Sequence, residues 1–306
     1  MKPIHSLHGL VAATYTPLGP DGSLNLAVVE RQAAHLLQNG VTIAFINGTT
    51  GECQSLSLEE RLQLAQRWLE VARGTALQVS VHVGSNCLAD ARTLAAQAQR
   101  LGAISISAFA PSYFKPRTLE ILVAWCAEVA GAAPNTPFYY YDIPVLTQVA
   151  LPMPEFLEQA PAKIPTLVGL KFTNPDLMAY QLCLHAGGGR FDVAYGSDEW
   201  LLAALALGAQ GAVGSTYNFA APIYQRLLKA FAAGDLAAAR EEQFRSVRLI
   251  RLLAGYGFMG AAKATMMLLG VDVGPPRLPH AALGPEQIRQ LRRELEALGF
   301  FDWIGP

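Results

Sequence analysis

One lysine interrupts a segment that is otherwise apolar. Lys171 follows Gly169 and Leu170 and precedes Phe172 in the stretch PTLVGLKFTNP. A strand this apolar is normally buried on both faces, where a charged ammonium is costly unless it is paired or loses its proton. A neutral amine is a nucleophile that can form a Schiff base with a ketone. Although a lysine at a strand end more often extends into water, we predict that Lys171 is a buried nucleophile.

Other polar residues follow strand-like segments elsewhere in the chain. NGTTGE (47–52) would be either a tight turn with a cap or a cradle of hydroxyls and backbone N–H groups for a carboxylate or phosphate. YYYDIP ends another strand, and alternation predicts that Tyr139 and Tyr141 share one face while Tyr140 takes the other. In GSDE, Asp198 and Glu199 favour a helix start. GSTYN (214–218) ends a further strand.

The elements that position these residues alternate regularly. Eight strand-like segments each precede a helical pattern over roughly 230 residues, which is typical of βαβ units and a parallel sheet. We predict an α/β fold, a (β/α)8 TIM barrel over residues 1–234, with a C-terminal helical extension over residues 235–306 packed on the barrel. A doubly wound sheet is disfavoured because the first strand ends in TYTPLGPDG, without a GxGxxG fingerprint. In a barrel, the carboxyl ends of the strands converge, so the polar residues would form one site.

Composition excludes several classes of function. The chain has 306 residues, 52% of them hydrophobic, and a net charge of −1 with no basic run, which argues against nucleic acid or an anionic membrane as partner. No apolar segment is long enough to span a membrane, and the first residues, including His5, do not form a signal peptide pattern. Four scattered cysteines and six histidines give no metal spacing. We expect reduced thiols, no metal and a cytoplasmic location.

Several motifs together resemble the dihydrodipicolinate synthase and N-acetylneuraminate lyase family of pyruvate-dependent class I aldolases. They are NGTTGE, HVG, PFYYYxIP, KIPTxxGLKF, GAVGSTYN and GPPRLP, found in order along nearly the whole chain. The resemblance implies a TIM barrel that is usually a homotetramer, a pyruvate or 2-keto acid substrate, and no cofactor beyond a covalent Schiff base. It favours the sialic acid lyase branch.

The resemblance also assigns roles. It implies that Lys171 forms the Schiff base, that Tyr141 transfers protons, and that Thr49 assists it. The implied substrate-binding residues are Gly48, Thr50, Thr173, Gly196, Asp198, Glu199, Gly214, Ser215 and Phe258. Tyr113, in APSYFKP, aligns with a tyrosine that enters a neighbouring subunit's site.

Three positions depart from the family pattern. Synthases carry an arginine where this chain has Leu146, and a leucine cannot pair with a second carboxylate. Asp142 and Gln148 replace the usual Asn or His and the usual Gly. We therefore predict a lyase that cleaves N-acetylneuraminate to N-acetylmannosamine and pyruvate. The alternatives are a 2-keto-3-deoxy sugar acid aldolase or dehydratase, a synthase-like enzyme, and a binding protein without activity.

Overall fold

The computed structural model describes residues 7–305, so the expectations for the first residues and for His5 lie outside it. Eight parallel strands pair in chain order, and β1 also pairs with β8 to close a barrel. The strands are β1 Gly9–Ala13, β2 Ile43–Ile46, β3 Gln78–His82, β4 Ser105–Ala108, β5 Phe138–Asp142, β6 Leu167–Phe172, β7 Asp192–Tyr195 and β8 Gly211–Gly214. The predicted (β/α)8 fold class is confirmed.

Helices connect the strands and extend beyond them. They are α1 Val28–Gln38, α2 Leu58–Ala72, α3 Leu88–Leu101, α4 Leu119–Gly131, α5 Pro144–Thr147, α6 Met153–Gln159, α7 Leu177–His185, α8 Leu201–Leu207, α9 Ala221–Ala232, α10 Leu236–Gly255, α11 Phe258–Leu268, α12 Pro285–Leu298 and α13 Phe300–Ile304. The sequence pattern did not indicate α5 or α13, since both are only four or five residues long.

Local signals explain where several helices begin and end. Ser57 accepts from the Glu60 N–H while the Glu60 carboxylate accepts from the Ser57 N–H, so the three-residue spacing of Ser57 and Glu60 forms a capping box at the start of α2. Helix α3 ends at Gly102, whose φ of 84° suits a residue without a Cβ. The glycines 187–189 all have positive φ. The GGGR stretch, residues 187–190, therefore forms a turn before β7.

Alternation along β5 separates two cores. Tyr139 and Tyr141 pack inside the barrel with Phe45 and Val213, whereas Tyr140 packs outward among the helices. The predicted arrangement of the three tyrosines is confirmed. The inward layer is largely aromatic near the carboxyl ends of the strands, which keeps water away from the side chains beside it.

The C-terminal helices are tied to the barrel by buried contacts. The predicted boundary at residues 234 and 235 falls in the turn between α9 and α10, where Asp235 caps α10 by accepting from the Ala238 N–H. Arg226 of α9 pairs with Glu242 of α10. Lys263 of α11 pairs with Glu52, which follows β2. These bonds fit a helical region packed on the barrel, and the division into two units stays a prediction.

Two further properties follow from residues 7–305. None of the helices in this range combines the length and apolar character needed to cross a membrane. All four cysteines are free thiols: Cys53, Cys126 and Cys183 are buried, and Cys87 is exposed.

Candidate active site

Lys171 lies inside the barrel beside two aromatic rings. Its side chain belongs to β6 and the residue is only 3% exposed. Its Nζ is 3.9 Å from the centroid of the Tyr141 ring and 4.6 Å from that of Phe45. Tyr141 stands directly opposite Lys171 in the β5–β6 pairing, so both side chains point to the same interior face. The expected burial of this lysine is therefore found.

Hydroxyl groups continue the site from Tyr141 around the barrel. The Thr49 Oγ1 lies 3.3 Å from the Tyr141 hydroxyl. The next residue, Thr50, shares a 2.6 Å hydrogen bond with the Ser215 hydroxyl after β8. Tyr15, which follows β1, donates to the Ser215 carbonyl. Residues from five strand ends thus meet in one cluster, as expected for the carboxyl end of a barrel.

Three glycines of the predicted site make room for its side chains. A Cβ on Gly48 would press on the Phe45 ring, one on Gly196 would overlap the Thr173 hydroxyl, and one on Gly214 would overlap the Asp198 carboxylate. The Thr173 Oγ1 is buried and has no hydrogen-bond partner in the described chain. A buried hydroxyl without a partner is costly, so this atom is available to a bound molecule.

Asp198 does not act as a simple helix-start residue. Its Oδ2 accepts from the Thr216 N–H at 2.8 Å and from the Thr216 hydroxyl at 2.6 Å, and Thr216 also bonds Tyr224. Ser197 makes no side-chain cap. Asp198 and Glu199 do lie in the first turn that leads into α8, as predicted, but the Asp198 carboxylate is bound by Thr216, 18 positions later, and not by the helix start. Desolvation by burial raises the pKa of Asp198 to about 6, against the opposing effect of the Thr216 hydrogen bonds.

The remaining predicted residues are less closely joined. Glu199 is half-buried and follows Asp198 in the same turn. Phe258 and His280 together line a cavity of about 270 Å³. Tyr113 is 78% exposed and its ring packs edge-to-face on Phe114 at 5.0 Å.

One of the departures from the family pattern, Asp142, faces away from the lysine. Asp142 lies on the outward face of β5, where the Asn174 amide donates to it at 3.0 Å. Desolvation by burial raises the pKa of Asp142 to about 6. Gln148 ends α5 with a φ of 55°. Leu146 lines a cavity of about 240 Å³ that Thr49, Ile143 and Thr147 also border.

Histidine 82 is buried beside the same cluster, but only half satisfied. Its Nδ1 is 3.1 Å from the Ser107 hydroxyl, while Nε2 has no partner in the described chain. The ring lies 5.6 Å from that of Tyr141. Burial lowers the pKa of His82 well below its ordinary value. Only one of its two nitrogens is therefore satisfied by residues of the described chain.

Sequence reasoning missed the residues that support the cluster through contacts between distant parts of the chain. Glu52 and Lys263 form a buried ion pair 211 positions apart in the chain, and Tyr15 contacts Ser215 across 200 positions. The available signal was a buried-type lysine in the apolar helix GAAKATMMLLG, analogous to the signal that identified Lys171.

The cavities and possible metal ligands place further limits on the site. A larger cavity, of about 410 Å³, lies at the amino ends of β6 and β7 beside His8 and Asp192, and contains none of the predicted site residues. Catalytic residues of such barrels lie at the carboxyl ends of the strands. The candidate site is therefore the side-chain cluster around Lys171 and not this cavity. In the part of the chain that the structure describes, no three His, Cys, Asp or Glu residues are grouped to hold a metal ion.

Fold and site together define a class of protein. A closed (β/α)8 barrel with a buried lysine, a tyrosine and hydroxyls at its strand ends has the architecture of TIM-barrel enzymes. The model of the Dihydrodipicolinate synthetase family matches residues 6–298. The chain belongs to this family, so the predicted family membership is confirmed.

Several relatives that are about 40% identical to this chain are named N-acetylneuraminate lyase. N-acetylneuraminate lyase of Gallus gallus is 41% identical over 302 residues, covering 97% of this chain and 98% of that protein. The Homo sapiens N-acetylneuraminate lyase is 40% identical and covers 98% and 95%. Among solved structures, Proteus mirabilis N-acetylneuraminate lyase has a TM-score of 0.93 at 40% identity, covering 97% of this chain and all of that one.

Proposed function

We propose that this chain is a class I aldolase that cleaves N-acetylneuraminate to N-acetylmannosamine and pyruvate through a Schiff base on Lys171. One observation carries the proposal: the buried Lys171 amine lies against Tyr141, whose hydroxyl reaches Thr49. The names of the relatives at about 40% identity support the same substrate. For this reaction the protein would supply the Lys171 amine, Tyr141 as the proton carrier, and Thr49 and Thr50 to bind the substrate carboxylate.

The first step joins the substrate to the enzyme. The Lys171 nitrogen attacks the C2 ketone of the open-chain sugar acid, and loss of water leaves a protonated imine. Thr49, Thr50 and nearby backbone N–H groups hold the carboxylate, which orients the ketone toward the amine. The existing bond from Thr50 to Ser215 would set the direction of the Thr50 hydroxyl.

The second step breaks the carbon–carbon bond. Tyr141 takes the proton from the C4 hydroxyl, directly or through Thr49 or the substrate carboxylate. As C4 becomes the aldehyde of N-acetylmannosamine, the electron pair of the C3–C4 bond passes into the iminium and gives an enamine. Protonation of the enamine at C3 and hydrolysis release pyruvate and regenerate Lys171. In this proposal the iminium is the electron sink, so the reaction uses no metal or cofactor.

Reductive trapping tests the Schiff base. Borohydride added with pyruvate should attach the reduced pyruvate adduct to Lys171, located by peptide mass. Lys171→Ala should fold and lack both the adduct and turnover, whereas Lys163→Ala, at an exposed lysine, should retain both. An adduct on another lysine, or none, would refute the proposal. A Lys171→Ala protein that fails to unfold cooperatively would show that the lysine has a structural role.

A substrate panel separates the alternatives. Leu146 lines the cavity beside Thr49 and offers no charge for a second carboxylate, which favours a sugar acid over the synthase substrate. We expect pyruvate release from N-acetylneuraminate together with N-acetylmannosamine. Release from 2-keto-3-deoxy sugar acids alone would instead identify the aldolase or dehydratase alternative, and thermal stabilisation by pyruvate without any turnover would identify a binding protein.

Assembly and location are part of the same proposal. We propose a homotetramer in the cytoplasm, supported by the exposed aromatic pair Tyr113 and Phe114 and by four free thiols. Tyr113 would reach a neighbouring subunit's site in that tetramer. Light scattering on the purified protein gives the mass directly, and a monomer with full activity would contradict the role of Tyr113.

A further inference from the structure

The loop that carries Thr49 and Thr50 has an unusual backbone at both of its ends. Within residues 7–305, three residues other than glycine have positive φ, and two of them, Asn47 at 58° and Glu52 at 56°, border this loop. Such conformations cost on the order of 1–3 kcal/mol each and persist only where surrounding contacts hold them. The contacts at the two ends are therefore informative about what the loop must do.

At the first end, Asn47 is fixed to helix α2. Its side-chain amide donates to the Arg61 carbonyl at 2.9 Å. The Arg61 guanidinium in turn donates to the His82 and Gly84 carbonyls at 2.9 and 2.8 Å. Asn47 and Arg61 are both buried. The start of the loop is thus joined through α2 to the end of β3.

At the second end, Glu52 is fixed to the C-terminal helices. The Lys263 Nζ donates to its Oε1 at 2.9 Å, and the Arg277 N–H donates to its Oε2 at 2.7 Å. The Lys263 amine also donates to the Thr16 and Pro275 carbonyls, so its three protons are all used. The Glu52 and Lys263 side chains are 0% and 1% exposed.

Stability alone is a poor explanation for this pair. A fully buried ion pair is costly to desolvate, and apolar replacement of both partners is often neutral or stabilising. The pair instead fixes the side chain of Glu52, whose backbone is left-handed. Glu52 directly follows Gly51, whose carbonyl accepts from the Thr16 hydroxyl at 2.6 Å. Both threonine hydroxyls lie between the two anchored ends.

We propose that Asn47, Glu52 and Lys263 are positioning residues, which fix the Thr49 and Thr50 hydroxyls where they must meet the carboxylate of the pyruvoyl group. The inference rests on the proposed function, since it assigns the loop a carboxylate ligand. These residues act through the loop and do not touch the substrate. Loss of either anchor lets the hydroxyls move, which weakens carboxylate binding and leaves the Lys171 amine in place.

The test compares the removal of two different ion pairs, one at the loop and one as a control. Glu52→Gln with Lys263→Met removes both charges of the anchor, so no unpaired charge stays buried. Arg226→Met with Glu242→Gln does the same at a partly buried pair between α9 and α10, distant in sequence from the loop. The readout is the pyruvate concentration that gives half-maximal borohydride trapping on Lys171, together with the maximal trapping rate and the melting temperature.

We expect the anchor variant to need about 10- to 100-fold more pyruvate, because small misplacements of orienting groups carry penalties of that size. Its maximal trapping rate should change far less. The control pair should alter the melting temperature only. Half-saturation within about two-fold of the unmodified protein would overturn the inference, and absence of trapping in the unmodified protein would refute the proposed function itself.

Asn47→Gly decides the matter if the anchor variant does not fold. Glycine adopts positive φ without strain, so the backbone is retained while the bond to the Arg61 carbonyl is lost. The same rise in half-saturating pyruvate is expected, together with a lower melting temperature, because the buried Arg61 carbonyl loses its donor. Unchanged half-saturation in a folded Asn47→Gly protein would overturn the inference.

Discussion

At the scale of single residues, the site depends on polar atoms that already have hydrogen-bond partners within the protein. One oxygen of the Asp198 carboxylate accepts twice from Thr216, and the space beside the other exists because position 214 has no side chain. The Tyr141 hydroxyl is oriented by Thr49 before any substrate arrives. Groups held in this way lose little freedom when a ligand binds. Substitutions that disturb the orientation should therefore act on binding or on rate separately.

Gly214→Ala should weaken binding of the sugar acid. The new Cβ would overlap the Asp198 carboxylate, which must move away from the proposed polyol site. We expect kcat/KM for N-acetylneuraminate to fall by roughly 10- to 100-fold, measured by steady-state kinetics, with pyruvate trapping on Lys171 retained. Gly131→Ala at the exposed end of α4 is the control, since nothing lies within 4 Å of its Cβ. Equal kinetics in the two variants would contradict a substrate role for Asp198.

Tyr141→Phe should separate Schiff-base formation from bond cleavage. The ring against Lys171 is preserved, while the hydroxyl next to Thr49 is lost. We expect kcat to drop roughly 100- to 10,000-fold, as for loss of a general acid–base group, and the borohydride adduct to form as before. Tyr139→Phe, whose hydroxyl donates to Asp192 at the other end of β5, should keep kcat within a few-fold. A kcat of Tyr141→Phe within ten-fold of normal would rule out its proton-transfer role.

At the scale of elements, the pairing of β5 with β6 sets two faces at once. The register joins Tyr141 to Lys171 and the next residue, Asp142, to Phe172. Because successive side chains alternate, the same register that directs the lysine inward directs Asp142 outward. There the carboxyl is almost fully buried and accepts a hydrogen bond from the Asn174 amide. Asp142 should thus affect stability rather than the substrate.

Asp142→Asn should stabilise the protein above pH 6. Burial raises the folded pKa from 3.8 to about 6, so the folded state holds this proton more tightly than the unfolded chain. The associated stability is complete below pH 3.8 and is lost as the pH rises through 6. The loss is at most about 3 kcal/mol, from 1.36 kcal/mol per pKa unit. Urea unfolding should show a gain for Asp142→Asn at pH 8 and little difference at pH 4.

The comparison of pH values provides its own control. A gain that is equal at pH 4 and pH 8 would arise from packing or hydrogen bonding, and would contradict the titration of Asp142. Turnover of the variant at pH 8 should be unchanged, since Asp142 faces the helices. A large loss of activity would instead place this residue in the site.

Local sequence patterns predict elements far better than they predict partners. The alternation of strands and helices, the capping box at Ser57 and the faces of the three tyrosines are all set by neighbours within four residues, and all are found. Lys171 could be identified because burial of a lysine in an apolar strand is itself a local signal. The hydrogen bonds between Asp198 and Thr216 could not be predicted, because Thr216 follows another strand end. No local pattern contains that information.

At the scale of the whole molecule, the C-terminal region shares buried polar contacts with the barrel. Lys263 and Arg277 both bond Glu52 after β2, and Arg277 also pairs with Glu60 of α2. Gln243 of α10 donates to the Asp198 carbonyl. The boundary at residue 234 would therefore separate parts that share their buried polar partners.

Thermal unfolding should follow one transition for the full chain. A fragment of residues 1–234 would lack both Lys263 and the Arg277 N–H, the two partners of the Glu52 carboxylate. We expect calorimetry to show a single peak for the full chain and no cooperative peak for the fragment. Two resolved transitions, or a fragment that melts cooperatively, would establish independent units.

The anchoring of Glu52 also imposes an order on the making of the molecule. The loop with Thr49 and Thr50 is translated early, but the amine that fixes it belongs to residue 263 and the backbone N–H to residue 277. A nascent chain on the ribosome can contain Lys171 and all eight strands while this loop still lacks its partners. Premature termination between residues 214 and 263 would thus yield a product that contains its nucleophile but lacks the anchor at the Glu52 end of the loop.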